Sequence, residues 1–239
     1  MRSQLFKFHQ AIGDPIPTIK RLSDWLSDEL MLINIGTSTK MDSRRTDKWH
    51  NLGSCEFFDL VAKTSKHCFC PLTVGGRIRE ISDFDKLFQA GADKCVVNTI
   101  LYENPDLVFK AAKKYGSQAV VASIDIKKDK KNGKPFVYTN RGITNTKLSL
   151  SKAINNAISL GVGEILISSI DHDGSRLGFD QYILKNISSS ITVPIIINSG
   201  ATTPEHFEKG LKNKKISAVA ASNVFYFSEL SYPNIKDSL

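Results

Sequence analysis

Asp125 closes the most strand-like stretch of the chain, Ala119-Val120-Val121-Ala122-Ser123-Ile124-Asp125, where a carboxylate can do acid–base chemistry. Desolvation at the end of a buried apolar strand raises a carboxyl pKa toward the range in which protons exchange at neutral pH. A carboxylate that only caps the next loop would occupy the same position. Two anion-cradling turns accompany it. Leu72-Thr73-Val74-Gly75-Gly76-Arg77-Ile78 is an apolar run that breaks on two glycines and enters a helical pattern, and Pro194-Ile195-Ile196-Ile197-Asn198-Ser199-Gly200-Ala201 repeats the design. Such turns at the carboxyl ends of parallel strands let backbone N–H groups close on an anion. Thr99, beside Asn98, follows Gly76 by 23 positions, and Ser222 follows Gly200 by 22. Two similar units therefore offer N–H groups and a hydroxyl at one face, which suits a substrate with a phosphate at each end. Asp171, Asp173 and Gly174 form a further polar loop, read equally as an Asx turn or as substrate contacts. Glu205 and His206 open a helix and read as cap and surface.

The elements that must position these residues alternate strand and helix. After a weakly alternating segment at 3–9 and a turn at Gly13–Pro17, apolar residues fall on one helical face from Thr18. Strands follow at Met31–Ile35, at the Gly75-Gly76 run, and at Cys95–Val97, 119–125, 164–168, 193–197 and 217–221, with helical stripes between them. Short links and the lack of a Pro/Ser-rich linker predict one domain over 1–239 built on a parallel sheet. Seven strand-then-helix units can be counted, one short of the eight that close a (β/α)8 barrel. An open doubly wound sheet is the alternative; the paired anion turns favour a barrel of two half-barrel repeats with Gly75, Gly76, Thr99, Asp125, Asp171, Gly200 and Ser222 at one mouth.

The 239 residues, 41% hydrophobic and 23% charged, are ordinary for a soluble protein and can bury a sizeable core. The expectations are cytoplasmic location, no membrane partner and no nucleic acid. The formal charge of +8 comes from scattered lysines, and the one cluster, Lys127-Lys128-Asp129-Lys130-Lys131, sits beside Asn132-Gly133 as a solvated hairpin tip. Positive potential equally suits a phosphorylated small molecule. Cys55, Cys68, Cys70 and Cys95 show no disulfide framework. His50, Cys55, His67, Cys68 and Cys70 crowd one region, but the Cys68-x-Cys70 gap is wrong for a zinc knuckle, so no metal and no organic cofactor is expected.

The chain closely resembles the cyclase subunit of imidazole glycerol phosphate synthase, the (β/α)8-barrel partner of a glutaminase in histidine biosynthesis. The matching segments run nearly the whole length in order and include Gly13-Asp14-Pro15, Asp28-Glu29-Leu30, Thr73-Val74-Gly75-Gly76, Gly91-Ala92-Asp93-Lys94, Val97-Asn98-Thr99, Ile124-Asp125, Gly163-Glu164-Ile165-Leu166, Ser169-Ile170-Asp171-His172-Asp173-Gly174, Ser199-Gly200-Ala201 and Ala220-Ala221-Ser222. The resemblance implies one phosphate near Gly76, Asn98 and Thr99 and another near Asp173, Gly174, Gly200, Ala201 and Ser222. It makes Asp125 one half of an acid–base pair. Glu29, Lys94 and Glu164 match three of four charged gate positions through which ammonia enters the barrel bottom, and Asp93 matches a residue on the face that docks the glutaminase.

There are departures. The family's first strand carries the second aspartate, and this sequence starts downstream of it, with Arg2 where a substrate-contacting lysine would fall; the fourth gate residue, an arginine, is lost with that strand. The expected explanation is a recorded start that lies too late. Asn34 replaces an aspartate, Arg77 stands where a third glycine is expected, and Asn223 adds a residue beside Ser222. The resemblance implies a lyase/cyclase subunit in a heterodimer with a glutaminase. One alternative is a paralogue that hands ammonia to a sugar amidotransferase in surface-polysaccharide (lipopolysaccharide, O-antigen) synthesis. The other is a non-catalytic scaffold for the glutaminase.

Overall fold

The computed structural model describes residues 2–10, 12–36, 54–227 and 229–239, with backbone only for Arg2, Phe8 and residues 54–56. His50 and the side chain of Cys55, from the crowded cysteine region, lie outside the described residues, as does most of the loop expected from Gly36 to Asp47.

The chain opens with an antiparallel hairpin, β1 (Arg2–Gln4) and β2 (Phe8–Gln10), in place of a single arm. Helix α1 spans Pro15–Asp24, earlier than the apolar stripe alone suggests, because the Asp14 carboxylate caps it by accepting from the Ile16 N–H and proline suits its first turn. Then come β3 (Leu30–Ile33), α2 (Ser54–Ser65), β4 (Leu72–Gly75), α3 (Ile81–Gln89), β5 (Lys94–Val97), a single helical turn α4 (Ile100–Glu103) and α5 (Pro105–Tyr115). Strand β6 (Val120–Lys128) runs past Asp125 into a hairpin with β7 (Pro135–Thr139), which pairs with β8 (Thr144–Asn145). The remainder is α6 (Leu150–Ser159), β9 (Glu164–Ser169), α7 (Gln181–Asn186), β10 (Ile195–Asn198), α8 (Pro204–Leu211), β11 (Ala218–Ala220) and α9 (Ser231–Asp237).

The parallel strands run in the order β11-β10-β9-β6-β5-β4-β3. The carboxyl ends of these parallel strands therefore all lie at one end of the sheet. One face packs under the helices, in a cluster that holds Val74, Phe84, Val108, Ile124, Ile154, Ile165 and Ile197. The opposite face forms a separate small cluster of Val96, Val121 and Leu166, joined by Met31 and Ile196. Met31 on β3 and Ile196 on β10 come from strands near the two ends of the order, so the sheet must curl to bring them to one cluster. That is the lumen of a (β/α) barrel, filled by layers of inward side chains. Outside, contacts span the strand ends: the Arg21 guanidinium donates to the Phe225 carbonyl at 3.2 Å, and Asp28 accepts from Tyr232 Oη at 2.8 Å and from Lys236 Nζ at 2.7 Å. Helices α1 and α9 thus tie β3 to the segment after β11. Among the described residues no helix is long and apolar enough to cross a membrane.

Candidate functional site

The period-two alternation of a strand decides which side chains meet inside the barrel. Met31, Val96, Val121, Leu166 and Ile196 make the middle layer. Two residues earlier on β5 and β9 stand Lys94 and Glu164, and two before Met31 stands Glu29. Two or four residues later stand Asn98, Ser123, Asp125, Ser168 and Asn198. The lumen therefore has a charged lower layer, an apolar middle and a polar top.

The lower layer is a tight cluster. Lys94 Nζ donates to Glu29 Oε2 at 2.8 Å and to Glu164 Oε1 at 2.6 Å, and the Thr73 hydroxyl donates to Glu29. Burial works against the Lys94 charge, but the bonds to Glu164 and Glu29 outweigh it and hold its pKa above the usual lysine range. Two carboxylates face one ammonium, and Glu164 Oε2 is buried without a partner among the described residues. Asp93, beside this layer, is exposed and accepts from the Leu72 N–H at 2.8 Å, so it also fastens the start of β4.

At the other end Asp125 is 7% exposed. Burial pushes its carboxyl up to about 7; a hydrogen bond from Asn98 opposes this, and the nearby Asp173 charge adds to it. The Asn98 amide is fully engaged, donating to Asp125 Oδ2 at 3.0 Å and to the Ser123 carbonyl at 3.0 Å. Asn98 is thus a positioner of the carboxylate as well as a rim residue. The Thr99 hydroxyl accepts from the Asn140 N–H at 3.4 Å, bringing the β7–β8 hairpin to the mouth.

Both glycine turns lie at this same end. Gly76 has φ +93 and Gly200 φ +91, values that L side chains rarely adopt. A Cβ on Gly76 would sit 2.1 Å from the Asn34 carbonyl oxygen, and one on Gly200 2.3 Å from that of Gly178. The two turns thus share a device, a neighbouring loop carbonyl packed on the glycine. Gly76→Ala is expected to cost more than about 2 kcal/mol in urea unfolding, since it adds backbone strain to a clash with a carbonyl that cannot swing away. Arg77 holds φ +64 where a glycine would be unstrained, at a cost of roughly 1 kcal/mol.

The Asp171 and Asp173 loop is committed to neighbours. Asp171 accepts from the Lys128 N–H at 2.8 Å. Asp173 Oδ2 accepts from Ser3 Oγ at 2.6 Å and from the Phe6 N–H at 3.1 Å, and Gly174 lies under the Ser3 carbonyl. Asn223, the residue added beside Ser222, both donates to and accepts from the Ser3 backbone, at 2.9 and 3.2 Å. Asp173 and Asn223 therefore strap the β1–β2 hairpin over the rim. Ser222 is exposed, and Ala201, after Gly200, is 5% exposed.

Three polar atoms near this mouth are buried without partners among the described residues: Asn34 Nδ2, Tyr102 Oη and Ser199 Oγ. An unpartnered buried donor costs about 1–3 kcal/mol unless a ligand takes it. Sequence reasoning did not place any of the three in the site, although Ser199 stands inside the second quoted turn. Away from the mouth, Cys68 and Cys70 approach to 3.8 Å between sulfurs, and among the described residues no group of three His, Cys, Asp or Glu could hold a metal ion. A curled parallel barrel thus carries paired glycine turns and a buried carboxyl at one mouth. Residues 2–231 match the family model described as histidine biosynthesis protein, and the chain belongs to that family.

Proposed function

We propose that the protein is the ammonia-using lyase/cyclase subunit of a glutamine-dependent imidazole glycerol phosphate synthase. The observation that carries this reading is the layering of the lumen, in which the Lys94–Glu29–Glu164 cluster and the buried carboxyl of Asp125 lie on opposite sides of one apolar layer. Asp125 pairs with Ser168 and Val121 with Glu164, so the acid stands four residues above the entrance, about 13 Å at strand rise. Val96, Val121 and Leu166 between them favour neutral ammonia over ammonium, because an unpaired cation in an apolar passage loses its hydration.

The phosphates of the substrate are held at the two glycine turns, with Gly75, Gly76 and Thr99 on one side and Gly200, Ala201, Ser222 and the Asp173–Gly174 loop on the other. Asp125, poised near neutrality, takes up and releases the proton that ring closure requires. A glutaminase docks on the entrance face, where Asp93 is exposed and Leu26 and Phe69 stand 77% and 83% exposed beside the starts of β3 and β4. The test is direct. Given ammonium salts and the bis-phosphorylated family substrate, the purified protein makes imidazole glycerol phosphate; no product from folded protein rejects the reading.

The first rim turn favours one alternative, an ammonia-delivering paralogue for sugar amidation, because Arg77 in a left-handed backbone and Asn34 alter that anion site. That protein yields no product in the same assay and still binds a glutaminase.

A further inference from the structure

One group at the mouth is left over from the assignments above. Tyr102 lies on the single turn α4, which folds back directly from β5 through the Leu101 N–H to the Asn98 carbonyl at 3.0 Å and the Tyr102 N–H to the Thr99 carbonyl at 3.1 Å. The turn follows β5 directly, so Tyr102 stands at the carboxyl end of that strand, with its phenol near enough to Asp125 to feel that carboxylate's charge. Asn98 grips Asp125. The tyrosine ring packs on the outer core, yet its hydroxyl is buried with no partner among the described residues. A tyrosine hydroxyl out of water normally finds a hydrogen-bond partner.

We propose that Tyr102 is a substrate-binding donor opposite Asp125, its phenol giving a hydrogen bond to a substrate heteroatom that lies against that carboxyl. This rests on the mouth being the substrate site. Asn98 cannot serve, because both of its amide donations are spent on Asp125 and the Ser123 carbonyl. Burial first, and then the Asp125 charge, push the phenol pKa up, so Tyr102 stays protonated and acts as a neutral donor at every working pH. The site then presents two unlike groups to one substrate atom cluster: a carboxyl that changes protonation near neutrality, and a phenol that does not.

The test uses two readouts on the full chain. In the first, protein with 13C-labelled tyrosine rings is titrated with imidazole glycerol phosphate, and the resonance of Tyr102 is followed among the six tyrosines. The Tyr102 signal moves at saturation, and an unmoved signal overturns the proposal. In the second, Tyr102→Phe loses about 10- to 100-fold in kcat/KM with ammonium while its melting temperature holds or rises, because an unsatisfied hydroxyl has been removed. Unchanged kcat/KM overturns the proposal too. The outcomes separate from those of the broader reading: wild type that makes no product but shows a shifted Tyr102 signal rejects the cyclase activity and keeps the tyrosine contact. An active wild type with an inert Tyr102 does the reverse.

Discussion

Under the proposed function, Asp125→Asn loses product formation by roughly a hundred- to ten-thousandfold, the range for one positioned acid or base, and it gains stability at neutral pH. Burial lifts the Asp125 carboxyl from 3.8 to about 7. Between those two values the folded protein holds a proton that the unfolded chain has released, so stability falls as pH rises from about 4 to 7. Below and above that window both states agree and Asp125 contributes no slope. Asparagine keeps the shape and can still accept from Asn98, but carries no charge to desolvate. The variant should therefore be more stable by about 2–4 kcal/mol at pH 8, and equal to wild type near pH 3.5. Urea unfolding across that range measures it. A residue that capped a loop would show the opposite pair of results, with activity kept and stability lost.

Lys94→Met should be the most damaging change in the charged lower layer. Lys94 answers Glu29 and Glu164 together, with side chains 27% and 19% exposed. Without it, two crowded carboxylates face each other, and the loss is on the order of 3 kcal/mol. Adding Glu29→Gln and Glu164→Gln to Lys94→Met removes the repulsion and restores most of the stability, which thermal unfolding can follow. Under the proposed function, the triple variant also uses ammonium salts normally and responds poorly to glutamine with a glutaminase present.

The sequence exposed those features that a strand's alternation and a glycine turn write locally. Asp125 could be read because six apolar or small residues lead to it, whereas Glu29, Lys94 and Glu164 were singled out only by the family resemblance. The early start of α1 was also legible in Asp14-Pro15, a cap followed by a proline that the apolar stripe does not contain. Other features could not be read this way. The turn α4 is four residues long, too short to show a period, so Tyr102 had no address. Helix α9 is similarly short, at seven residues. The attachment of Asp173 to Ser3 spans 170 positions, and that of Asn223 to Ser3 spans 220; only the folded barrel makes such pairs neighbours. Asn98 reads from the resemblance as a residue beside the first phosphate, and its hold on Asp125 needed the register of β5 beside β6.

The proposed chemistry at the mouth depends on Asp125 being a carboxylic acid poised near neutrality at the upper end of an apolar lumen. Its carboxyl carbon can be followed by 13C NMR as pH is varied, with the resonance assigned by its loss in Asp125→Asn. A titration midpoint near 7 is the predicted result. A midpoint near 4, the value of an ordinary solvated aspartate, would contradict it.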